Sequence, residues 1–441
     1  MSRHTIAALL VCAFAFALPS AAHAAKPIPD QYIVVLAEGS DAKAVAAQHR
    51  RNAGANVLQT YGAALDGYAA RLSEGELRKV KADPRVDYVM QDVEGTPITA
   101  QSLPNSVNRI DGDLSTQLSG DGGGTTPGDV AIYDTGIQPD HPDLNVVGGV
   151  DCLNGYSGDD GTWHDAHGHG THVAGSVGAK DDAIGAVGVA PGVRLWSVRT
   201  LNYMGSGSAS TQLCGINWVT ANGPSLGIKV VNSSQALFGS RDDNNCGYTS
   251  GNALQQAICT STAAGILWVF GAGNSGSDSD LGAGPAIDQV LAVTAIGDGN
   301  GQPNVGTTAT FTCPLLNGTK KAPNSAPHTD DKYASFSSYM TKAADQAHTV
   351  AAPGMCVYST WKGSAYGYLN GTSMAAPHGT ATAHLCILSG QCPGTPAETI
   401  QKLRADAAAY TQANPSWGFT GDPLRPVTGK YFGYLLRPGL Y

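Results

Sequence analysis

The chain has 441 residues, of which 42% are hydrophobic and only 14% charged. That balance excludes a disordered protein and leaves room for two or three folded units. A formal net charge of −9 offers no basic surface, so a nucleic acid is not an expected partner.

The N-terminus sets Arg3 before an apolar run that ends on Ala22-His23-Ala24. This order of charged start, apolar stretch and small-residue site reads as a signal peptide over residues 1–24. The run is short for a membrane anchor, and no later segment approaches the roughly 20 apolar residues of a span. The protein is therefore expected to be secreted, extracellular or periplasmic, with no membrane partner. Of nine cysteines, Cys12 leaves with the signal. The other eight suit up to four disulfides in an oxidising compartment, with Cys386–Cys392 and Cys246–Cys259 as the local pairs. The absence of a Cys-x-x-Cys pair argues against a zinc ribbon.

Residues 25–100 differ in texture from the rest and carry no cysteine. Tyr32–Leu36 reads as a strand, and Asp41–Asn52 as a helix with Ala42, Val45, Ala46 and His49 on one face. Gly67–Leu72 follows as a strand. Ser73, three residues before Glu76, opens a second helix with a capping box. Val86–Val89 closes the unit. Strand, helix, strand, helix, strand fits a split βαβ module, a small α+β ferredoxin-like fold. The polar, proline-bearing stretch from Glu94 to Asn108 reads as an exposed linker open to nicking. Residues 101–441 then form one large domain. Its short apolar runs, Val130–Tyr133, Val193–Val198, Lys229–Val231, Ile266–Phe270 and Val290–Val293, alternate with helical stretches such as Ser210–Thr220 and Gly251–Ala264. Such alternation predicts an α/β domain, a mainly parallel sheet with helices on both faces.

Three segments carry chemistry. Asp134-Thr135-Gly136 sets a carboxylate straight after a buried strand, where α/β active sites form. An aspartic protease would need a second such carboxylate, and neither Asp-Thr-Gly nor Asp-Ser-Gly recurs. The second segment, Asp165 to Gly175, holds His167, His169 and His172, with His164 just before. A metal site is one reading, but the spacing is not His-Glu-x-x-His, and an imidazole base explains the segment without a metal. In the third, Asn370-Gly371-Thr372-Ser373-Met374, a tight turn puts Ser373 at a helix start, where free N–H groups favour negative charge. A simple N-cap serine is the plainer alternative.

In the order Asp, His, Ser, these blocks resemble the signature segments of the subtilisin-like (subtilase) peptidases. That order differs from those of chymotrypsin and the α/β-hydrolases. The cysteines and the N-terminal unit are most similar to the secreted proteinase K-like branch. The resemblance implies a serine endopeptidase that hydrolyses peptide bonds in proteins through an acyl-enzyme and is made as a self-processed zymogen, its residues 25–100 an inhibitory propeptide. It implies Asp134, His169 and Ser373 as the triad and Asn274, in Phe270-Gly271-Ala272-Gly273-Asn274, as the oxyanion donor. It further implies Gly205, Ser206, Gly207, Ser234, Gly271, Ala272 and Gly273 as substrate-binding positions. Protein or peptide substrates and the propeptide are the expected partners of a monomer. No catalytic cofactor is expected, while structural calcium is an option, with Asp298 its candidate ligand.

The run Asn232-Ser233-Ser234-Gln235 departs from the family pattern beside the first specificity pocket, which leaves the side-chain preference open. Residues 299–332 read as an insertion with Cys313 and the sequon Asn317-Gly318-Thr319. Thr380, Thr382 and His384 stand where apolar residues are expected, as in a less buried helix. Two other classes stay in view: a catalytically silent binding protein on this fold, and a metal hydrolase using the histidines. An esterase on the α/β-hydrolase scaffold is disfavoured because Gly-x-Ser-x-Gly is absent around Ser373.

Overall fold

A computed structural model describes residues 27–63, 65–93, 101–237, 242–279, 284–313 and 328–441. The expected signal peptide and the sequon at Asn317 lie outside the described residues. The chain divides into two units, Met1–Ile98 and Thr99–Tyr441.

The first unit runs β1 (Pro27–Leu36), α1 (Ala42–Asn52), β2 (Asn56–Tyr61), β3 (Gly67–Arg71), α2 (Glu74–Lys81) and β4 (Val86–Val93). Its antiparallel sheet has the order β2-β3-β1-β4, the ferredoxin-like arrangement. Asp41 caps α1 by accepting from the Ala44 N–H, and the Ser73–Glu76 capping box opens α2. Val34, Val45, Tyr68, Leu72 and Val80 form the core. The sequence reading passed over β2. It is an edge strand with three of its six residues exposed and none buried, so it lacks the inward-facing alternation by which a strand is recognised.

The second unit opens with α3 (Asn105–Asn108), β5 (Asp129–Asp134), β6 (Val146–Asp151), α4 (His169–Gly178) and β7 (Arg194–Arg199). Next come α5 (Ala209–Leu226), β8 (Ile228–Ser233), α6 (Ala253–Ala263), β9 (Leu267–Gly271) and β10 (Leu291–Gly297). The short strands β11 (Thr310–Phe311), β12 (His328–Thr329) and β13 (Lys332–Tyr333) precede α7 (Ala343–Gln346) and β14 (Thr349–Pro353). The hairpin β15 (Val357–Trp361) and β16 (Ala365–Leu369) leads into α8 (Thr372–Leu388) and α9 (Pro396–Ala413).

The main sheet has the order β13-β10-β9-β8-β5-β7-β6, with β14 also on β10, and every pairing but β10–β13 is parallel. Alternation along the strands feeds two cores. Val130 and Ile132 of β5 face the core that holds α4 and α8, while Ala131 and Tyr133 face the one that holds α5 and α6. From β8 the chain proceeds outward through β9 and β10, whereas β7 and β6 lie on the other side of β5. The β5–β8 boundary is thus a switch point, where the carboxyl ends of the strands leave a crevice.

Helix α8 corrects one expectation. Thr380 and Thr382 are fully buried and His384 nearly so, and each of the three side chains has a partner. Thr380 Oγ1 donates to Asn232 Oδ1 at 2.9 Å, Thr382 Oγ1 to the His378 carbonyl at 2.7 Å, and His384 Nε2 lies 2.7 Å from the Pro127 carbonyl. Satisfied polar groups let this helix be buried without being wholly apolar. Four disulfides join Cys152–Cys214, Cys246–Cys259, Cys313–Cys356 and Cys386–Cys392, the second and fourth being the two local pairs.

The second half of the stretch read as a linker is built into the fold. Ser102 donates to the Gly185 carbonyl at 2.8 Å, and the fully buried Arg109 follows α3. Arg109 donates to Asp331 Oδ1 at 2.6 Å and to the carbonyls of Trp417 and Gly418, and it stands 3.4 Å from Asp298 Oδ2. Asp298, the calcium candidate, thus has a guanidinium beside its Oδ2, while its Oδ1 accepts from the Gly301 N–H at 2.6 Å. Burial pushes its pKa up to about 7, against the opposing pull of Arg109. Replacing Arg109 by Leu strands two buried carboxyls. Denaturant unfolding of Arg109→Leu beside the unsubstituted chain is expected to show a loss of about 3–5 kcal/mol.

Candidate active site

The Asp-Thr-Gly turn and the start of α4 interlock. A Cβ on Gly170 would stand 2.1 Å from the Gly136 carbonyl oxygen, so only glycine allows this approach. Asp165 organises the loop before the helix. Its Oδ1 accepts from the N–H groups of His167 and Gly168 and from Thr135 Oγ1, and its Oδ2 from the N–H and Oγ1 of Thr171. The sequence reading gave Asp165 no role. Its position before a His-Gly-His run was the available signal, since aspartate bonds the backbone two or three residues on.

With the loop so fixed, His169 Nδ1 lies 2.7 Å from Oδ1 of the fully buried Asp134. Burial pulls the His169 pKa down, but the Asp134 charge and hydrogen bond, with Asp165 farther off, leave it raised above its ordinary 6.5. The neighbouring histidines diverge. His172 is buried with Nε2 at 3.1 Å from the carbonyls of Val357 and Gly367, and burial lowers its pKa to about 3. His164 is exposed beside Trp163. Burial and the His169 charge lower the His167 pKa. Among the described residues these four do not converge on a ligand site.

Ser373 is the second residue of α8. Pro377, inside the helix, has no N–H for the carbonyl four residues back, which is that of Ser373. Ser234 Oγ replaces it, donating to the Ser373 carbonyl at 2.7 Å, while Ser373 Oγ donates to the Ser234 carbonyl at 3.1 Å. Asn232 extends the chain by donating from Nδ2 to Ser234 Oγ at 2.9 Å and accepting from Thr380. The unusual Asn232-Ser233-Ser234 run thus anchors the serine helix to the end of β8.

Asn274 Oδ1 accepts from the Thr372 N–H at 2.8 Å and from Thr372 Oγ1 at 3.1 Å. With its oxygen held, the Nδ2 donors are what the amide offers to a ligand. Gly271 lets α8 come close, because a Cβ there would lie 2.8 Å from the Thr372 carbonyl oxygen. Gly271, Ala272, Gly273, Asn274, Ser234 and Ser373 line a cavity of about 270 Å³. A neighbouring cavity of about 600 Å³ is lined by His169, Gly205, Ser206 and Gly207, and the two share Ser234, Gln235 and Ala236. The predicted residues therefore edge one continuous cleft. Within it, the Ser206 N–H and carbonyl are both engaged by Asn202, and the Gly205 N–H donates to the Asn202 carbonyl at 2.9 Å, so main-chain bonding to a ligand along this edge falls to the Gly205 carbonyl and to Gly207. Asn202, which also accepts from the Met204 N–H at 2.9 Å, is a second residue the sequence reading missed.

A buried carboxylate orienting a partly exposed imidazole, with a serine on a helix N-terminus across the same cleft, is suited to nucleophilic acyl transfer. Comparison with known proteins agrees. The model of the subtilase family matches residues 129–421, and that of peptidase inhibitor I9 matches residues 31–95. Subtilisin DY of Bacillus licheniformis is 35% identical over 291 residues, 65% of this chain and 85% of that protein. Subtilisin E of Bacillus subtilis (strain 168) is 32% identical over 346 residues, 78% of this chain and 76% of that protein. The crystal structure of a cold adapted subtilisin-like serine proteinase superposes with a TM-score of 0.51 at 21% identity, covering 76% of this chain and 98% of that one, and bears on the fold alone. The chain belongs to the subtilase family of serine peptidases and carries an I9 inhibitor domain ahead of its catalytic domain.

Proposed function

We propose that Asp134, His169 and Ser373 form the catalytic triad of a secreted, self-processing endopeptidase of the proteinase K-like branch. The proposed division is a signal peptide over 1–24, a propeptide over 25–100 and a catalytic domain over 101–441. The observation that carries the triad is the 2.7 Å contact between Asp134 Oδ1 and His169 Nδ1 at the mouth of the cleft that Ser373 borders.

With Nδ1–H held by Asp134, His169 presents Nε2 as the base. When a peptide enters, the Ser373 hydroxyl exchanges the Ser234 carbonyl for His169 Nε2 and loses its proton as Oγ bonds to the substrate carbonyl carbon. The oxyanion is met by Asn274 Nδ2 and the Ser373 N–H, with the positive end of the α8 dipole behind them. His169 then protonates the leaving amine, and water, activated by the same imidazole, hydrolyses the acyl-enzyme. Main-chain groups of Gly205 and Gly207 favour an extended peptide laid as an added strand. Flexible or unfolded protein segments fit this cleft best.

Intact-mass analysis and casein digestion test the reading. The wild-type chain is expected to shed its N-terminal unit within residues 94–108 and to digest casein, while Ser373→Ala keeps the unit and is inert. Equal processing and equal activity would overturn the assignment. Asn274→Ala is expected to lower kcat by about 100- to 1000-fold. The base works only when neutral, so kcat/KM is expected to fall as pH drops through a midpoint above 6.5. In Asp134→Asn that midpoint moves down and kcat falls about 10⁴-fold. Ser234→Ala leaves the Ser373 carbonyl without its donor, and urea unfolding is expected to register a loss of about 1–3 kcal/mol.

A further inference from the structure

Away from the cleft, the corner where α7 turns into β14 meets the segment before β10. Asp345 and His348 are three residues apart around the end of α7, and the parallel pairing of Ala292 with Thr349 fixes β14 beside β10. Asp288, just ahead of β10, completes the group, and one ligand atom from each of the three residues lies within 4.8 Å of the others.

His348 is 3% exposed, yet neither of its ring nitrogens has a hydrogen-bond partner among the protein groups, nor has Asp288 Oδ1. The Val290 carbonyl lies beside the ring but outside hydrogen-bonding geometry. His348 Nε2 and Asp288 Oδ1 are 4.0 Å apart, too far to bond each other directly and close enough to share a ligand between them. Of the nearby cations, Arg404 is turned to the Thr349 carbonyl at 3.4 Å, and Lys342 is the one whose charge acts on Asp288. A cavity of about 270 Å³, lined by Asp288, His348, Ala347, Ala397 and Gln401, opens onto the group and gives an entry path with room for water.

We propose that Asp288, Asp345 and His348 bind a divalent transition-metal ion of the zinc class through one imidazole nitrogen and two carboxylate oxygens, with water from the cavity completing the shell. One nitrogen and two oxygens suit zinc, cobalt or nickel. Calcium and magnesium take shells of oxygen alone, so the imidazole selects against them. The ion ties the α7–β14 corner to the segment before β10, beside a cavity that shares no lining residue with the cleft, and serves stability and not the reaction.

The test uses purified protein blocked with phenylmethylsulfonyl fluoride, stripped with EDTA and dialysed against Zn²⁺ alone, with bound metal counted by mass spectrometry. One equivalent of zinc is expected, with affinity at least tenfold weaker in both His348→Gln and Asp288→Asn. Co²⁺ is expected to give visible d–d absorption that both substitutions remove. Asp288 is about a third exposed, so Asp288→Asn remains a usable variant should His348→Gln fail to fold. Failure to bind zinc, or zinc held equally by Asp288→Asn and the unsubstituted protein, would overturn the proposal. So would calcium binding that depends on Asp288 in a protein that takes up no zinc.

Discussion

The burial of α8 against the sheet is the constraint on which the rest of the catalytic domain depends. The helix packs on β8, β9, β10 and β14 on one side and on α4 and α9 on others, so almost none of its surface reaches water. Its hydroxyls must then find their partners inside the protein. The chain Thr380–Asn232–Ser234–Ser373 partners one of them and ends at the proposed nucleophile. One network therefore settles two matters at once: how a polar helix is buried, and where Ser373 stands relative to the end of β8.

The site is assembled from strand ends and helix starts, the two places where a parallel α/β fold exposes unpaired backbone groups. Asp134 closes β5, Ser234 follows β8, Gly271 closes β9, and His169 and Ser373 open α4 and α8. Precision comes from close backbone approaches at Gly170 and Gly271 and from the carboxylate of Asp165, which ties Thr135 to the histidine loop. Charge is arranged with equal economy. Among the described residues, the one carboxylate paired with His169 is fully buried, so its field acts on the imidazole with little screening by water.

The sequence made legible those features that rest on short-range patterns. The central strands announced themselves as apolar runs because both faces are covered, and Asp41 and Ser73 announced helix starts because capping is local. Edge strands β2 and β6, being half exposed, carried no comparable pattern. The proposed triad positions stand in motif blocks, whereas Asn202 and Asp165 act through contacts that only the folded loop creates. The polar residues of α8 misled because their partners, Asn232 and Pro127, lie 148 and 257 positions away. No window of sequence could show that they would be satisfied. The pairing of Asp298 with Arg109 was hidden for the same reason.

Arg109 also bounds the maturation of the chain. Its guanidinium reaches Asp331 and the carbonyls of Trp417 and Gly418, separations of 222, 308 and 309 residues, and so fastens the beginning of the catalytic domain to its end. A cut on its N-terminal side leaves that fastening whole. A cut on its C-terminal side removes the only described cation beside two buried acids, and the trimmed product would be unstable as soon as it formed. Processing that strayed too far downstream would thus be self-limiting: over-trimmed molecules would become substrates for their neighbours, and the surviving population would converge on an N-terminus upstream of Arg109.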